Sequence, residues 1–263
     1  MAESISQYPM VDKFLRYLQV EKNTSPLTVK NYAADISLFS NFLAERLGKD
    51  FQWQKIGVLD IRAYLALLNK EKYARTTIAR RISSLRSFYK FLMRENYVEQ
   101  NPFIKVRTPK LEKRLPVFLE ELEINEILTL PDKDTLGLRD QAILELLYAT
   151  GCRVSELVGL TVTNIDLGSQ YVLLLGKGNK ERIVPIGHTC CQAVRQYLQV
   201  TRGALMEKNK TEAHDKVFVN SRGGPLTDRS VRRILDKYIT QLAMQKKVRK
   251  KVCVILAGPE KVR

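Results

Sequence analysis

The 263-residue sequence lacks the features that would direct a protein out of the cytoplasm or towards a metal. No apolar run is long enough to cross a bilayer, and residues 1–9 lack the basic and then apolar stretches of a secretory signal. The four cysteines are Cys152, Cys190, Cys191 and Cys253. They form no Cys-x-x-Cys pair, and the sequence shows no Cys/His spacing that suits zinc. We therefore expect a cytoplasmic protein without a membrane partner or a metal, in which the adjacent pair at 190 and 191 comprises one buried and one half-exposed thiol.

Acidic residues are few relative to basic ones. The chain has 44 Lys and Arg against 28 Asp and Glu, a net charge of +16 and a pI near 9.7. Each phosphate that a basic side chain neutralises releases counterions and adds affinity, so this excess indicates a polyanionic partner. Solubility alone does not require so large a charge. Because no basic amphipathic anchor helix stands out, the composition favours nucleic acid over an anionic membrane surface.

The first hundred residues show the apolar spacing of helices throughout. Ser25-Pro26 is typical of a helix N-cap followed by proline at the first helical position, and Gly48 is a typical C-terminal stop. A shorter helix is predicted over Val58–Asn69, and Thr76 or Thr77 is the predicted cap of another helix.

This last helix of the first block has an apolar side and a basic side. The basic side carries Arg75, Arg80, Arg81, Arg86 and Lys90. Such a stripe is often only a solvated face. In a chain this basic, phosphate contact is an equally good interpretation.

A proline-bracketed segment separates the first block from the second. Prolines spaced as in residues 101–116 keep a chain extended and discourage helix. We interpret these residues as a linker between domains at 1–100 and 117–247. A linker between two DNA-binding lobes must itself cross the duplex, which would explain its basic residues Lys110, Lys113 and Arg114.

The second block mixes helices with a short β-hairpin. The apolar period changes to two on either side of the tight turn Gly176–Glu181, so a hairpin with a lysine at its tip is predicted. The predicted elements are helices Leu119–Leu130 and Leu136–Ala149, strands Tyr171–Leu175 and Arg182–Ile186, helix Thr189–Met206, strand Val217–Val219 and a helix capped by Thr227 that reaches Gln241. The fold class is mainly α with two domains, the second having a small antiparallel sheet.

Arg153 follows a glycine turn at the start of a predicted helix. A helix N-terminus directs free N–H groups and partial positive charge towards an anion, and an arginine adds a planar fork suited to two phosphate oxygens. Glu156, one turn later, could hold the guanidinium in place. An ordinary helical Arg–Glu pair explains the same residues equally well.

Several motifs, in this order, resemble the tyrosine site-specific recombinase (phage integrase) family, Xer type. They are Arg75–Tyr89, Leu115-Pro116, Ala-Thr-Gly-Cys-Arg-Val-Ser-Glu-Leu at 149–157, Gly-Lys-Gly-Asn-Lys-Glu-Arg at 176–182, Val184–Gly187 and Asn220–Thr227. Each is short, but together they are specific, and the resemblance covers residues 1 to about 247. It implies a helical, SAM-like DNA-binding domain followed by an α+β catalytic domain.

The resemblance also implies roles for individual residues. Arg153 matches the arginine that clamps the scissile phosphate, where a fixed cation stabilises the transition state. Lys177 matches the hairpin lysine that acts as general acid on the leaving 5′ oxygen, with Lys180 as a rival. Lys180 and Arg182 are predicted DNA-binding residues of the same hairpin. No metal or nucleotide is implied, since transesterification through a phosphotyrosine conserves bond energy.

The family pattern is not followed to its end. After Lys247 the family continues with His-x-Leu-Arg-His, a later His or Trp and the nucleophilic tyrosine, whereas residues 248–263 form a basic tail without them. We therefore expect a partial catalytic domain, truncated or frameshifted: Val252–Leu256, read in the neighbouring frame, can encode Leu-Arg-His-Ser. Tyr238 lies in an amphipathic helical pattern and is predicted to be core, not a substitute nucleophile.

The expected ancestral function is site-specific DNA recombination or integration, as in Xer-type resolution of chromosome or plasmid dimers. Its partners would be double-stranded DNA and other recombinase protomers, four of them on two duplexes in the family. This chain is expected to bind DNA and to be inactive in cleavage alone. Two alternatives stay open: a non-catalytic accessory or regulatory DNA-binding protein, and a type IB topoisomerase-like enzyme, which would also need the tyrosine.

Overall fold

The computed structural model describes residues 8–110, 118–176, 178, 180–209 and 213–245. The chain divides into two compact units, residues 1–113 and 114–263, each with its own apolar core. Lys113, Arg114 and Lys177 lie outside the described residues, as do the proposed frameshift segment and the rest of the tail. The prediction of a mainly helical, two-domain fold with one small antiparallel sheet is confirmed.

Unit one is helical. Its helices are α1 (Pro9–Val20), α2 (Pro26–Leu47), α3 (Val58–Lys70) and α4 (Arg75–Arg94). The core contains many aromatic rings, and the fully buried Phe14 and Phe88 lie 5.3 Å apart between ring centroids. Aromatic side chains bury a large area each, so such a cluster stabilises a small helical unit efficiently.

Both ends of α2 lie where the sequence predicts them, whereas α4 begins at a different residue from the one predicted. The Ser25 hydroxyl accepts a hydrogen bond from the Thr28 N–H, and Gly48 ends the helix with φ at 95°. The prediction that Thr76 or Thr77 caps α4 is wrong. Ala74 holds the cap position without any side-chain hydrogen bond, so both threonines lie within the first turn.

The beginning of the predicted linker is packed onto unit one. The Phe103 ring is fully buried, 5.4 Å from the ring of Tyr89. The Asn101 amide donates to the carbonyl of Arg86 and accepts from the N–H of Phe103. The Arg86 guanidinium in turn donates to the carbonyls of Phe103 (3.2 Å) and Val106 (2.9 Å). Residues 101–106 are therefore an integral part of unit one, and the domain boundaries given above stay predictions.

Unit two is built around the buried helix α6. Its elements are α5 (Glu121–Thr129), α6 (Thr135–Thr150), α7 (Val154–Gly159), β1 (Ile165–Asp166), β2 (Tyr171–Leu175), β3 (Glu181–Pro185), α8 (His188–Gln196), a π-helical segment (Tyr197–Arg202), α9 (Gly203–Met206) and α10 (Asp228–Gln245). The strands form an antiparallel sheet in the order β1-β2-β3, with Leu173 opposite Ile183. The predicted hairpin is confirmed, and the short strand β1 was not predicted.

Two local predictions for unit two are wrong. Val217–Val219 is not a strand; among the described residues it is flanked by the isolated bridges Thr161–Lys216 and Val219–Pro225, so the chain pairs with two different segments at one residue each and forms no continuous ladder. Cys190 and Cys191 are both buried, since α8 packs against α6 and the Cys191 thiol lies against the carbonyl of Ile186, just before the helix (3.9 Å).

None of the described helices is both long and apolar enough to cross a membrane. Within the described ranges, no three His, Cys, Asp or Glu side chains come together as potential metal ligands.

Candidate phosphate-binding site

A sharp turn between α6 and α7 places Arg153. Gly151 adopts the left-handed conformation (φ 57°) and its N–H donates to the carbonyl of Leu147, which ends α6. Such a conformation strains residues that have a Cβ, so glycine suits this position. Two residues later, Arg153 is the extended N-cap of α7.

One carboxylate holds Arg153 by both its backbone and its side chain. The Arg153 N–H donates to Glu156 Oε2 (2.9 Å), and Arg153 Nη1 donates to Glu156 Oε1 (2.8 Å). The Glu156 side chain is 3% exposed, but that of Arg153 is 68% exposed. The guanidinium is thus anchored at one edge and open to solvent at the others. The Arg153 N–H is therefore taken up by Glu156, which is the N3 residue of α7, and is not available to an anion.

The β-hairpin reaches the same carboxylate through Arg182. Arg182 Nη1 and Nη2 donate to Glu156 Oε1 (3.0 Å) and Oε2 (2.7 Å), and the Arg182 side chain remains 40% exposed. Lys180 is exposed in the same hairpin, while Lys177 falls outside the described residues. The structure therefore brings Arg153 and Arg182 together. This proximity was not predicted from the sequence.

These contacts keep Glu156 ionised. Hydrogen bonds from Arg182, and then from Arg153, lower the pKa of the Glu156 carboxyl to about 2, against the opposing effect of burial. The site therefore has two arginines around a single negative charge and a net positive potential, which suits an anion.

The depressed pKa of Glu156 predicts a pH dependence of stability. A carboxyl whose pKa is lower in the folded state stabilises the fold above its unfolded pKa, and this contribution is lost as the pH falls towards about 2. In urea unfolding at about pH 6, Glu156→Gln should lower the free energy of unfolding by about 1–3 kcal/mol. The gap between variant and wild type should shrink by about pH 3. A gap that stays constant over this range would contradict the assignment.

The predicted basic residues of α4 have different surroundings. Arg75 and Lys90 are exposed, as is Lys110 further along the chain. Arg80 is half-exposed and paired with the buried Asp35.

Two other arginines of α4 have internal roles. Arg81 is buried, lies 3.7 Å from Asp35 and has its guanidinium 4.0 Å from the ring centroid of Tyr73. Arg86 is held by the carbonyls of residues 103 and 106. DNA binding stays a prediction for the whole set, and Arg81 and Arg86 are the members that these surroundings favour least.

Sequence reasoning missed a basic face on α10. Arg229, Arg232 and Arg233 are exposed at spacings of three and four residues, and no acidic partner is recorded for them among the described residues. Residues at this spacing lie on one side of a helix. The signal is present in Asp-Arg-Ser-Val-Arg-Arg after Thr227, where the three arginines are spaced by three and four residues.

Tyr238 belongs to the core, as the amphipathic pattern predicts. Its side chain is 1% exposed, and its hydroxyl donates to Asp140 (3.0 Å), which also binds the buried Arg139. Burial, and then the negative charge of Asp140, raise the pKa of this hydroxyl. A phenol that is buried and hard to ionise is unsuited to attack a phosphate.

Two family models match the chain, one within each unit. The model of the phage integrase family matches residues 117–256, and that of the N-terminal SAM-like domain of phage integrases matches residues 11–96. The first alone covers about half of the chain. The chain belongs to the phage integrase family, as a Xer-like tyrosine recombinase.

Relatives and solved structures agree with this membership. The recombinase is 42% identical over 246 residues to tyrosine recombinase XerC of Pelotomaculum thermopropionicum, covering 92% of this chain and 80% of the relative. It is 46% identical over 226 residues to XerC of Bacillus subtilis, covering 86% and 73%. Its fold resembles a λ integrase tetramer bound to a Holliday junction (TM-score 0.63, 17% identity, 93% and 65% covered). It also resembles a Tn1549 transposon integrase in complex with circular intermediate DNA (TM-score 0.64, 16% identity, 92% and 81% covered).

Proposed function

We propose that this recombinase binds duplex DNA and holds one backbone phosphate with Arg153 for site-specific strand cleavage and rejoining. The observation that carries the proposal is the geometry of Arg153, whose guanidinium is fixed by a buried carboxylate on one side and open on the other. A cation fixed in advance needs no reorganisation when charge develops on the phosphate oxygens. The relatives, named tyrosine recombinases, supply the reaction class.

Each unit offers its own surface for the remaining phosphates. In unit one, exposed basic residues lie on α4 (Arg75, Arg80 and Lys90) and in the segment that follows it (Lys110). In unit two, the arginines of α10 add a second surface. Exposed arginine and lysine side chains can neutralise phosphates without reading sequence, which positions a protein on DNA.

The finer assignments follow from the Xer resemblance. We place the protein in the cytoplasm, where it resolves chromosome or plasmid dimers, with Lys177 as general acid. We further propose that protomers assemble on two duplexes, by analogy with the λ integrase tetramer that is bound to a Holliday junction.

We infer that residues 1–263 do not contain the complete catalytic set that the family uses. No histidine follows His214 and no tyrosine follows Tyr238 in the sequence. We propose that this polypeptide alone binds the phosphate without forming the covalent intermediate. The same observation favours a second candidate function, a non-catalytic accessory or regulatory DNA-binding protein.

The variant Arg153→Ala tests the phosphate-binding role. Loss of a charge-assisted contact should weaken duplex binding by about 10- to 100-fold in equilibrium titrations. The matched control is Arg195→Ala, since Arg195 is an exposed arginine of α8 whose recorded contact is the carbonyl of Leu167. Equal affinities of Arg153→Ala and wild type, with both proteins folded by circular dichroism, would refute the proposal.

A further inference from the structure

The base of the β2–β3 hairpin is closed next to Glu156. The Gly176 N–H donates to the carbonyl of Lys180 at 2.7 Å, which brings the two ends of the turn together. This turn contains Lys177 in the sequence. Contacts that hold residues 176 and 180 in place therefore also hold the two ends of the turn in place.

Gly176 lies directly against the carboxylate and its arginine. A Cβ on Gly176 would lie 3.3 Å from Glu156 Oε1 and 3.5 Å from Arg182 Nη1. The first distance is shorter than ordinary van der Waals contact, so a side chain here would push against the ion pair. The close approach shows that the hairpin base and the ion pair are packed as one group.

Arg182 is the link between this hairpin and α7. Both of its terminal nitrogens bind Glu156, which comes 26 residues earlier in the chain. A phosphate that competed for these nitrogens would have to displace an ionised carboxylate with little exposure. Direct DNA binding, which the sequence suggested for Arg182, is therefore the less favourable use of this guanidinium.

We propose that Arg182 is a positioning residue: through Glu156 it couples the hairpin that carries Lys177 to the guanidinium of Arg153. With Arg182 in place, both Glu156 oxygens are shared and Arg153 keeps only one side-chain hydrogen bond to them. Without Arg182, the carboxylate can take Arg153 bidentately and draw it away from a phosphate. The proposal rests on the phosphate-binding role of Arg153 given above.

Hydrogen exchange tests the hairpin half of the proposal. In Arg182→Gln, the Gly176 amide should exchange at least about tenfold faster, because the base of the hairpin loses its anchor. Amides of α6 should keep their exchange rates. Arg182→Lys should restore only part of the protection, since an ammonium lacks the fork that spans both oxygens. Arg195→Gln, which removes the same charge from an exposed site, should leave Gly176 unchanged.

Duplex affinity tests the coupling to Arg153. Arg182→Gln should weaken binding by about tenfold, as expected for the loss of one strong charge-assisted contact. In the Arg153→Ala background, the same change should have no further effect, because there is no guanidinium left to misplace. A purely structural role would instead weaken binding in both backgrounds.

The salt dependence of the double variant separates positioning from direct contact. Each lost phosphate contact lowers the slope of log affinity against log salt by about 0.9. If Arg182 only positions Arg153, Arg182→Gln loses the contact of Arg153 and no other, so Arg153→Ala and the double variant should have the same slope. A double variant whose slope is lower than that of Arg153→Ala by about a further 0.9, with additive effects on affinity, would overturn the proposal, as would unchanged exchange at Gly176. If Arg153→Ala alone binds DNA like wild type, the proposed function fails, and the exchange measurement still decides whether Arg182 anchors the hairpin.

Discussion

Between 50 and 200 mM salt, the affinity of this protein for duplex DNA should fall by about a thousandfold or more. The expectation follows from the net charge of +16 and from exposed basic residues on both units, such as Arg75 and Lys90 on α4 and Arg229 on α10, which form no ion pair with an acidic residue in the described part of the chain. About six phosphate contacts are enough for a loss of this size, since each contact releases condensed counterions when it forms.

A variant of α10 tests whether this helix contributes to the salt dependence. Replacing Arg229, Arg232 and Arg233 by glutamine should lower the slope by about 0.9 for each arginine that contacts a phosphate. The three side chains are exposed, so the free energy of unfolding should change little. An affinity that is independent of salt would contradict DNA binding through the backbone. A triple variant with the wild-type slope would exclude α10 from the interface.

Purified residues 1–263 should form no covalent adduct with a nicked suicide duplex, even when bound to it. Arg153 can orient a phosphate and a lysine can protonate a leaving group, but neither attacks phosphorus. The hydroxyl of the buried Tyr238 donates a hydrogen bond to Asp140. Catalytic groups that act as a set lose nearly all activity when several members are missing, so the expected yield is zero and not a reduced value.

The adduct experiment is read on a denaturing gel. A protein–DNA band that resists denaturation and is abolished by Arg153→Ala would show that a nucleophile lies within residues 1–263. Tyr238→Phe would then identify or exclude the only tyrosine that follows Lys177 apart from the buried Tyr197. As a control, binding of the wild-type protein to the same duplex is measured in a native gel, so that the absence of an adduct is not attributed to an absence of binding.

Local signals predicted the elements well where the determining contacts are local. Ser25, Pro26 and Gly48 lie within a turn of the helix ends that they mark, and the hairpin follows from a period of two around a glycine-rich turn. The start of α4 was misplaced because its cap has no side-chain hydrogen bond to reveal it. The linker prediction could not include the packing of Phe103, which depends on rings distant in sequence.

Part of the candidate site was predictable from the sequence, because some of its contacts are also local. Arg153 and Glu156 are three residues apart, so their pairing follows from helical spacing. The pairing of Arg182 with Glu156 joins a strand to a helix, and that of Arg81 with Asp35 joins two helices. Both depend on tertiary structure. A count of basic residues therefore overstated the number of cations that are free for DNA.

The most direct test of the central claim is a methylphosphonate scan of a duplex selected for binding. Each modified position removes one phosphate charge, and wild type and Arg153→Ala are compared at every position. If Arg153 holds one backbone phosphate, wild type should lose about 10- to 100-fold in affinity at one position, and Arg153→Ala should lose little there. At all other positions the two proteins should lose affinity equally. Parallel losses at every position would contradict the claim.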